Sequence, residues 1–439
     1  MAVTRSAPAA PTVAHTGLLR YGAPREASAR TYARSLPTYA RSLPIVPVRA
    51  QGLTIEAADG RRYLDCLSGA GTLALGHNHP VVLAAIRKIL DSGAPLHVPD
   101  LATPVEEAFT AELLATLPPA FAAHARVRFC GPTAADALAG AYALVRTATG
   151  RDEVRTVRAA DHAAPTAELC TARDGRPAPA GLLAEPVQDD GGVLPDAWLR
   201  RVRRATAEHA LPLVADETRT GVGRTGTFWA VEHSGITPDV MVISQAIGGS
   251  LPLAVLVHHT DLDAPLPGGR GRTDPFRGNQ LAMAAGAATL AHVREHRLAD
   301  RAALLGAHLL DRLRELTDRH PHVGDVRGRG LMIGVECVVP PAGEPAPPAP
   351  AFAAAVQQEC LRRGLVVGLG GGQASVVRLL PPLTLTDEQA DAVLDRFADA
   401  LDAAVAATGP PAPRARRREP AVRPGGGTGF RREEAGLSR

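Results

Sequence analysis

Leu211–Pro238 reads LPLVADETRTGVGRTGTFWAVEHSGITP and runs straight into Asp239–Val255, DVMVISQAIGGSLPLAV. LPLVADE is a continuous apolar run ending in two carboxylates, which predicts a buried strand with Asp216 and Glu217 at its end. Gly221–Gly226, GVGRTG, is a literal G-x-G-x-x-G after that strand. A dinucleotide site needs a long helix directly after the glycines, to present N–H groups to a pyrophosphate. TFWAVEHSG is short and ends in glycine, so the surrounding blocks explain the pattern better than nucleotide binding does. Further on, Gln245 stands between Ser244 and Ala246. A carboxamide forms no imine and is no useful base near neutral pH.

Outward from this stretch, short apolar runs alternate with helical ones. GLLAEPV at Gly181–Val187 predicts a second buried strand, joined to LPLVADE by the helix DAWLRRVRRATAEHA. VRFCGPT followed by DALAGAYALVRTATG reads as strand, turn and helix, ending near Gly150. GLTIEAADGRRYLDCL predicts a hairpin turned at Asp59-Gly60. His79-Pro80 opens the helix VVLAAIRKIL, with Pro80 suited to the first turn. Val82, Ile86 and Ile89 share one face of it, and Arg87 and Lys88 fall away toward solvent. After Asn279 come long Ala/Leu-rich helices, the strand LMIGVEC, a Pro-rich loop at Val339–Pro350 and another helix. The strands LVVGL and SVVRLL and a last helix from Thr386 follow. Strand–helix alternation implies a mostly parallel sheet.

A chain of 439 residues buries a large core and usually divides into two domains. The expected division is a flexible arm at 1–45, the first part of a smaller domain at 46–75 and a large domain at 76–285. A C-terminal small domain at 286–406 and a basic tail at 407–439 complete it. The arm ends in a tandem repeat, TYARSLP at Thr31–Pro37 and again at Thr38–Pro44. Two copies are too short for a solenoid, so a local duplication accounts for them. The tail, with RARRRE and PGGGTG, reads as solvated.

Net charge is only +3 and aromatic residues make up 3% of the chain, so the body offers no nucleic-acid face. No apolar run approaches the ~20 residues that cross a bilayer, and no signal-peptide core opens the sequence. The five cysteines have no metal-ligand spacing, so no metal is expected. Scattered thiols point to a reducing, cytoplasmic setting. The positive residues are arginines with one exception, Lys88.

Taken together, the blocks resemble the class-III, fold-type-I pyridoxal-phosphate (PLP) aminotransferases. GAGTLALGHNHP at Gly69–Pro80, FCGPT at Phe129–Thr133 and PFRGNQLA at Pro275–Ala282 resemble the diaminobutyrate–2-oxoglutarate branch. The resemblance covers roughly Tyr39 to Ala406, with a large gap near 155–181 where several tens of residues are missing. It implies an α/β fold with a mostly parallel, helix-flanked sheet in the large domain. It also implies a smaller α/β domain built from both chain ends.

It further implies a site. Gln245 falls in the slot of the lysine that holds the cofactor and shuttles the proton. Asp216 matches the aspartate that pairs with the ring nitrogen, and Glu185 and Gln188 of EPVQ also match. Arg378 matches an arginine that holds a substrate carboxylate. The family's phosphate contacts, a Gly-Thr pair opening a helix and a Gly-Thr-Phe from the partner subunit, read Ala134-Ala135 and Asp274-Pro275-Phe276. The stacking aromatic becomes Asp161, before His162, and a glutamine near the ring hydroxyl becomes Arg219.

The expected activity, amino transfer from a diamino acid to 2-oxoglutarate, is therefore impaired by the residues present. Three readings stay open: a noncovalent PLP or pyridoxamine-phosphate enzyme with His162 or Arg219 as surrogate acid/base; a noncatalytic subunit, as homodimer or with an active relative; or a cofactor-free reaction on a small amino or keto acid in the old cleft. A gene in decay is the fourth and blandest.

Overall fold

The computed structural model describes residues 43–99, 101–158, 161, 165–172, 175–263, 275–340 and 346–408. The arm, the first repeat and nearly all of the second, and the tail lie outside these residues, as does His162.

The chain opens with β1 (Pro47–Gln51), β2 (Thr54–Ala57) and β3 (Arg62–Asp65), and the Asp59-Gly60 turn joins the last two as expected. Helix α1 (Pro80–Ser92) has Pro80 at its first turn and Gly93 at φ 71° to stop it. Lys88 is exposed on it. Next come α2 (Pro104–Thr116), β4 (Ala125–Phe129), α3 (Ala134–Thr149), β5 (Val154–Val157) and α4 (Thr166–Cys170). Then follow β6 (Gly181–Ala184), α5 (Asp196–Glu208), β7 (Leu213–Asp216), β8 (Val240–Ser244) and β9 (Ala254–His259). The second half contains α6 (Gln280–Glu295), α7 (Leu298–Arg319), β10 (Val323–Arg329), β11 (Met332–Cys337) and α8 (Pro350–Arg362). It ends with β12 (Leu365–Val366), β13 (Gly368–Gly370), β14 (Val376–Leu379) and α9 (Asp387–Thr408).

Six strands form the main sheet in the order β4-β9-β8-β7-β6-β5. β5 to β8 run parallel, β9 runs against β8, and β4 runs against β9, so β9 alone is reversed. Every residue of β6, β7 and β8 is buried, as an apolar strand covered on both faces requires. Two four-stranded sheets complete the fold. β1-β2-β3-β12 joins the two ends of the chain, and β10-β11-β14-β13 comes from the C-terminal part alone. No helix of the described residues is long and apolar enough to cross a membrane.

Two local expectations need correction. LVVGL is not one strand: β12 pairs in parallel with β3, and β13 pairs antiparallel with β14, so the chain changes sheets at Val367. β10 went unread because GDVRGR offers two glycines and three charges instead of an apolar run; it is held as an edge strand by its ladder to β11.

The carboxyl ends of β6, β7 and β8 are where open α/β sheets place ligands. The turn after β8, Gln245–Gly248, is pressed by α6. A Cβ added at Gly286 would lie 2.0 Å from the Ile247 carbonyl oxygen, and one at Gly249 would lie 2.5 Å from that of Ala285. Only glycine lets the two backbones meet. Gly286→Ala is therefore expected to cost about 1–3 kcal/mol in urea unfolding through overpacking. Gly372→Ala, in open space, should change stability by less than about 0.5 kcal/mol. Equal stability of the two variants would show that this contact is not tight.

Candidate functional site

Three neighbouring strands deliver the site. Glu185 follows β6, Asp216 ends β7 and Gln245 follows β8. Asp216 is 7% exposed, and its Oδ1 accepts the Thr218 N–H at 3.0 Å. Tyr142 of α3 feels this carboxylate: burial raises its phenol and the charge of Asp216 adds to the rise. Glu217 turns into the protein instead. It accepts the Val231 N–H at 2.9 Å and the Thr220 hydroxyl. Burial pushes it up to about 7 in spite of these donors.

Gln245 has φ 59°, a conformation uncommon for residues other than glycine and found at functional sites. Its Oε1 is buried without a hydrogen-bond partner and faces Gly71, where an added Cβ would sit 3.6 Å away. It lines a cavity of about 290 Å³ with Thr72, Pro132, Thr133, Ala134 and Leu253. The structure thus brings Gln245 and Ala134 together; Ala135 is exposed on the first turn of α3.

The start of α3 is closed by its own chain. Thr133 and Asp136 form a capping box: the Asp136 carboxylate accepts the Thr133 N–H at 2.9 Å and its hydroxyl at 2.5 Å. The Asp136 N–H in turn donates to Thr133 Oγ1. A helix N-terminus favours an anion, and here a resident carboxylate serves it.

Arg219 and Arg378 meet at Asp189. Arg219 lies 3.2 Å from Glu185 Oε1, a charge contact without hydrogen-bond geometry, and 2.5 Å from Asp189 Oδ1. Arg378 of β14 donates to the same Asp189 oxygen. Burial lifts Glu185 to about 7; Arg219 opposes the rise, and Asp216, Asp189 and Asp190 support it. Asp190 is engaged separately by Arg327 at 2.9 Å. An arginine keeps its charge in proteins, and Arg219 stands between two carboxylates. The fork of Arg378, expected to be open to a substrate, is held by Asp189. Gln188 contributes its backbone to the turn before Gly192.

Pro275 is exposed, and its carbonyl meets His97 Nε2. Leu96, Leu101 and Phe276 are exposed as well, and Pro275 is not among the residues lining the cavity. Asp161 caps a local turn by accepting the Arg158 N–H at 2.7 Å. Among the described residues no three His, Cys, Asp or Glu side chains converge as metal ligands. The sequence reading missed Asp136 and Asp189. The first had a signal, because Thr133-Ala-Ala-Asp136 is a capping-box pattern. The second had none, since only the fold brings Arg219 and Arg378 to one carboxylate.

These residues do not fit PLP as a lysine-bound, phosphate-anchored cofactor. Gln245 offers no amine, Lys88 is exposed on α1, and Asp136 stands at the helix start a phosphate would need. Asp216, at the end of β7, keeps the place that the family resemblance gives to the partner of the ring nitrogen.

The sheet order and this crevice define a fold-type-I aminotransferase architecture. A family profile described as Aminotransferase class-III matches residues 36–174 and 167–401, and the chain belongs to that family. It is 40% identical to a diaminobutyrate–2-oxoglutarate aminotransferase of Rhizobium meliloti, over 86% of this chain and 91% of that protein. It is 35% identical to one from Haemophilus influenzae, over 85% and 92%. An amine transaminase from an uncultivated Pseudomonas species, solved in its PLP-bound form, superposes with a TM-score of 0.70 at 26% identity. That match covers 84% of this chain and 98% of the other. The two profile matches meet at residues 167–174, inside the β5–β6 connection. The first alignment extends over 436 residues, more than this chain's share supplies, so the chain is gapped against that relative.

Buried carboxyls set a pH dependence. Glu217 and Glu185 rise to about 7, so the folded state holds protons that the unfolded state releases above about 4.5. Their contribution to stability is therefore largest in acid and falls as pH rises toward 7. Glu217→Gln should flatten the fall between pH 5 and pH 8 in urea unfolding, by on the order of 3 kcal/mol at most. An unchanged slope in the variant would remove Glu217 from the account.

Proposed function

We propose that this class-III aminotransferase homologue does not carry out ordinary PLP-dependent transamination of a diamino acid with 2-oxoglutarate. The observation that carries this reading is Gln245, which the family resemblance puts in the lysine slot and which lines the cavity after β8. The chain's only lysine is exposed on α1. Losing a general acid/base alone costs about 10²–10⁴ in rate, and losing the covalent partner adds to that. The self-capped start of α3 weakens a phosphate anchor as well.

The role this supports is that of a noncatalytic subunit, as a homodimer or with an active relative. Leu96, Leu101 and Phe276 are exposed apolar side chains of the kind a second chain would cover. A second reading, noncovalent use of PLP or its amine form, is favoured by the placement of Asp216 at the end of β7.

A steady-state assay of the purified protein with diaminobutyrate, 2-oxoglutarate and added PLP should give no glutamate above background. Robust PLP-dependent glutamate formation would overturn the proposal. Gln245→Lys alone should not reach the rates of active relatives, because Asp136, Ala135 and Pro275 remain. Full rates in that variant would show that Gln245 is the only obstacle.

A further inference from the structure

Three histidines meet where the start of α1 lies against the end of α6. His79 stands at the N-cap of α1, and His292 and His296 lie one turn apart at the end of α6. The His79 and His292 rings are 4.8 Å apart at 56°, and the His292 and His296 rings are 4.0 Å apart at 32°. His292 is thus the middle ring of a stack that joins the two helices. His79 and His292 are half-buried and His296 is exposed. His79 caps nothing with its side chain, and its Nδ1 is buried without a hydrogen-bond partner. His296 donates its Nδ1–H to the His292 carbonyl at 3.1 Å.

The charges around the stack do not neutralise it. On α6, Arg294 is engaged by Glu112 of α2 at 3.1 Å. Arg297 is engaged by Asp300 of α7 at 2.7 Å. Before α1, His77 pairs with Asp65 of β3 at 2.8 Å. Along α1, Arg87, Lys88 and Asp91 are exposed. Of the charges acting on His292, Glu295 alone favours its protonated form. Burial and the two neighbouring rings hold His292 below the ordinary histidine range, and burial and His296 do the same to His79. The helix ends divide the three further. The carbonyl end of α6 favours a cation at His296, and the N–H end of α1 disfavours one at His79. The stack therefore accommodates one proton, on the exposed His296, and resists a second.

We propose that His79, His292 and His296 form an acid-sensitive latch between α1 and α6. Near neutral pH the uncharged rings pack against one another and hold the two helix ends together. In mild acid an opened form binds a second and third proton from solvent more readily than the closed stack, so protonation parts the rings. The sign is opposite to that of Glu217 and Glu185. Their contribution to stability grows in acid, whereas that of the latch is complete above about pH 6.5 and is lost as pH falls. The inference is independent of the reading on PLP and transamination.

Hydrogen–deuterium exchange of the full-length protein, at about pH 5 and about pH 7.5 and corrected for intrinsic rates, tests the latch on peptides covering 79–92 and 286–297. In wild type, protection of both segments should fall about tenfold or more in acid. His292→Phe keeps a ring between the other two but takes no proton, and His296→Gln removes the first charge from an exposed position. In each variant the acid loss should shrink to less than about threefold. Peptides of β7 and β8 should keep their protection in all three proteins, which marks the opening as local. Equal protection of the two segments at both pH values in wild type would overturn the proposal, as would an undiminished acid loss in both variants. A uniform loss across the whole chain would overturn it too, because it would report acid unfolding instead of a latch.

Discussion

Close backbone packing between α6 and the turn after β8 fixes everything else at this site. Gly286 and Gly249 let the helix and the turn meet where no side chain fits. Gln245, in its left-handed conformation, begins that turn at the carboxyl end of the buried sheet. The cavity it lines, the start of α3 and the ends of β6 and β7 then fall into place around it. The scaffold of an aminotransferase is retained because the sheet and its helices pack through apolar contacts that do not involve the cofactor chemistry.

Within that scaffold, positions suited to anions are taken by the protein's own carboxylates. Asp136 serves the start of α3 and Asp189 holds both Arg219 and Arg378. An unpaired guanidinium or an open helix start is costly when solvent is excluded. Resident carboxylates relieve that cost and lower the affinity for any ligand that must displace them. The same side chains that stabilise the fold therefore compete with binding.

Much of the fold was legible in the sequence. Continuous apolar runs gave β6 and β7, and the Asp59-Gly60 turn, Pro80 and Gly150 marked element ends. What escaped has physical reasons. β10 is an edge strand whose charges and glycines carry no apolar pattern, and the break at Val367 is decided by pairing with β3 and β14, not by propensity. Of the site, Asp216, Glu185 and Gln245 were named from the family resemblance, and the fold sets them at the ends of three neighbouring strands. The engagement of Arg378 and Arg219 by Asp189 was not readable, since it joins residues far apart in sequence.

The central claim is that the cleft no longer carries a lysine-bound cofactor. Incubation of the purified protein with PLP, borohydride reduction and intact mass tests it most directly. The account predicts no stoichiometric mass gain, whether or not the absorbance shows PLP bound. A stoichiometric adduct mapped to Lys88 would contradict it, because α1 would then have to bring that side chain into the site.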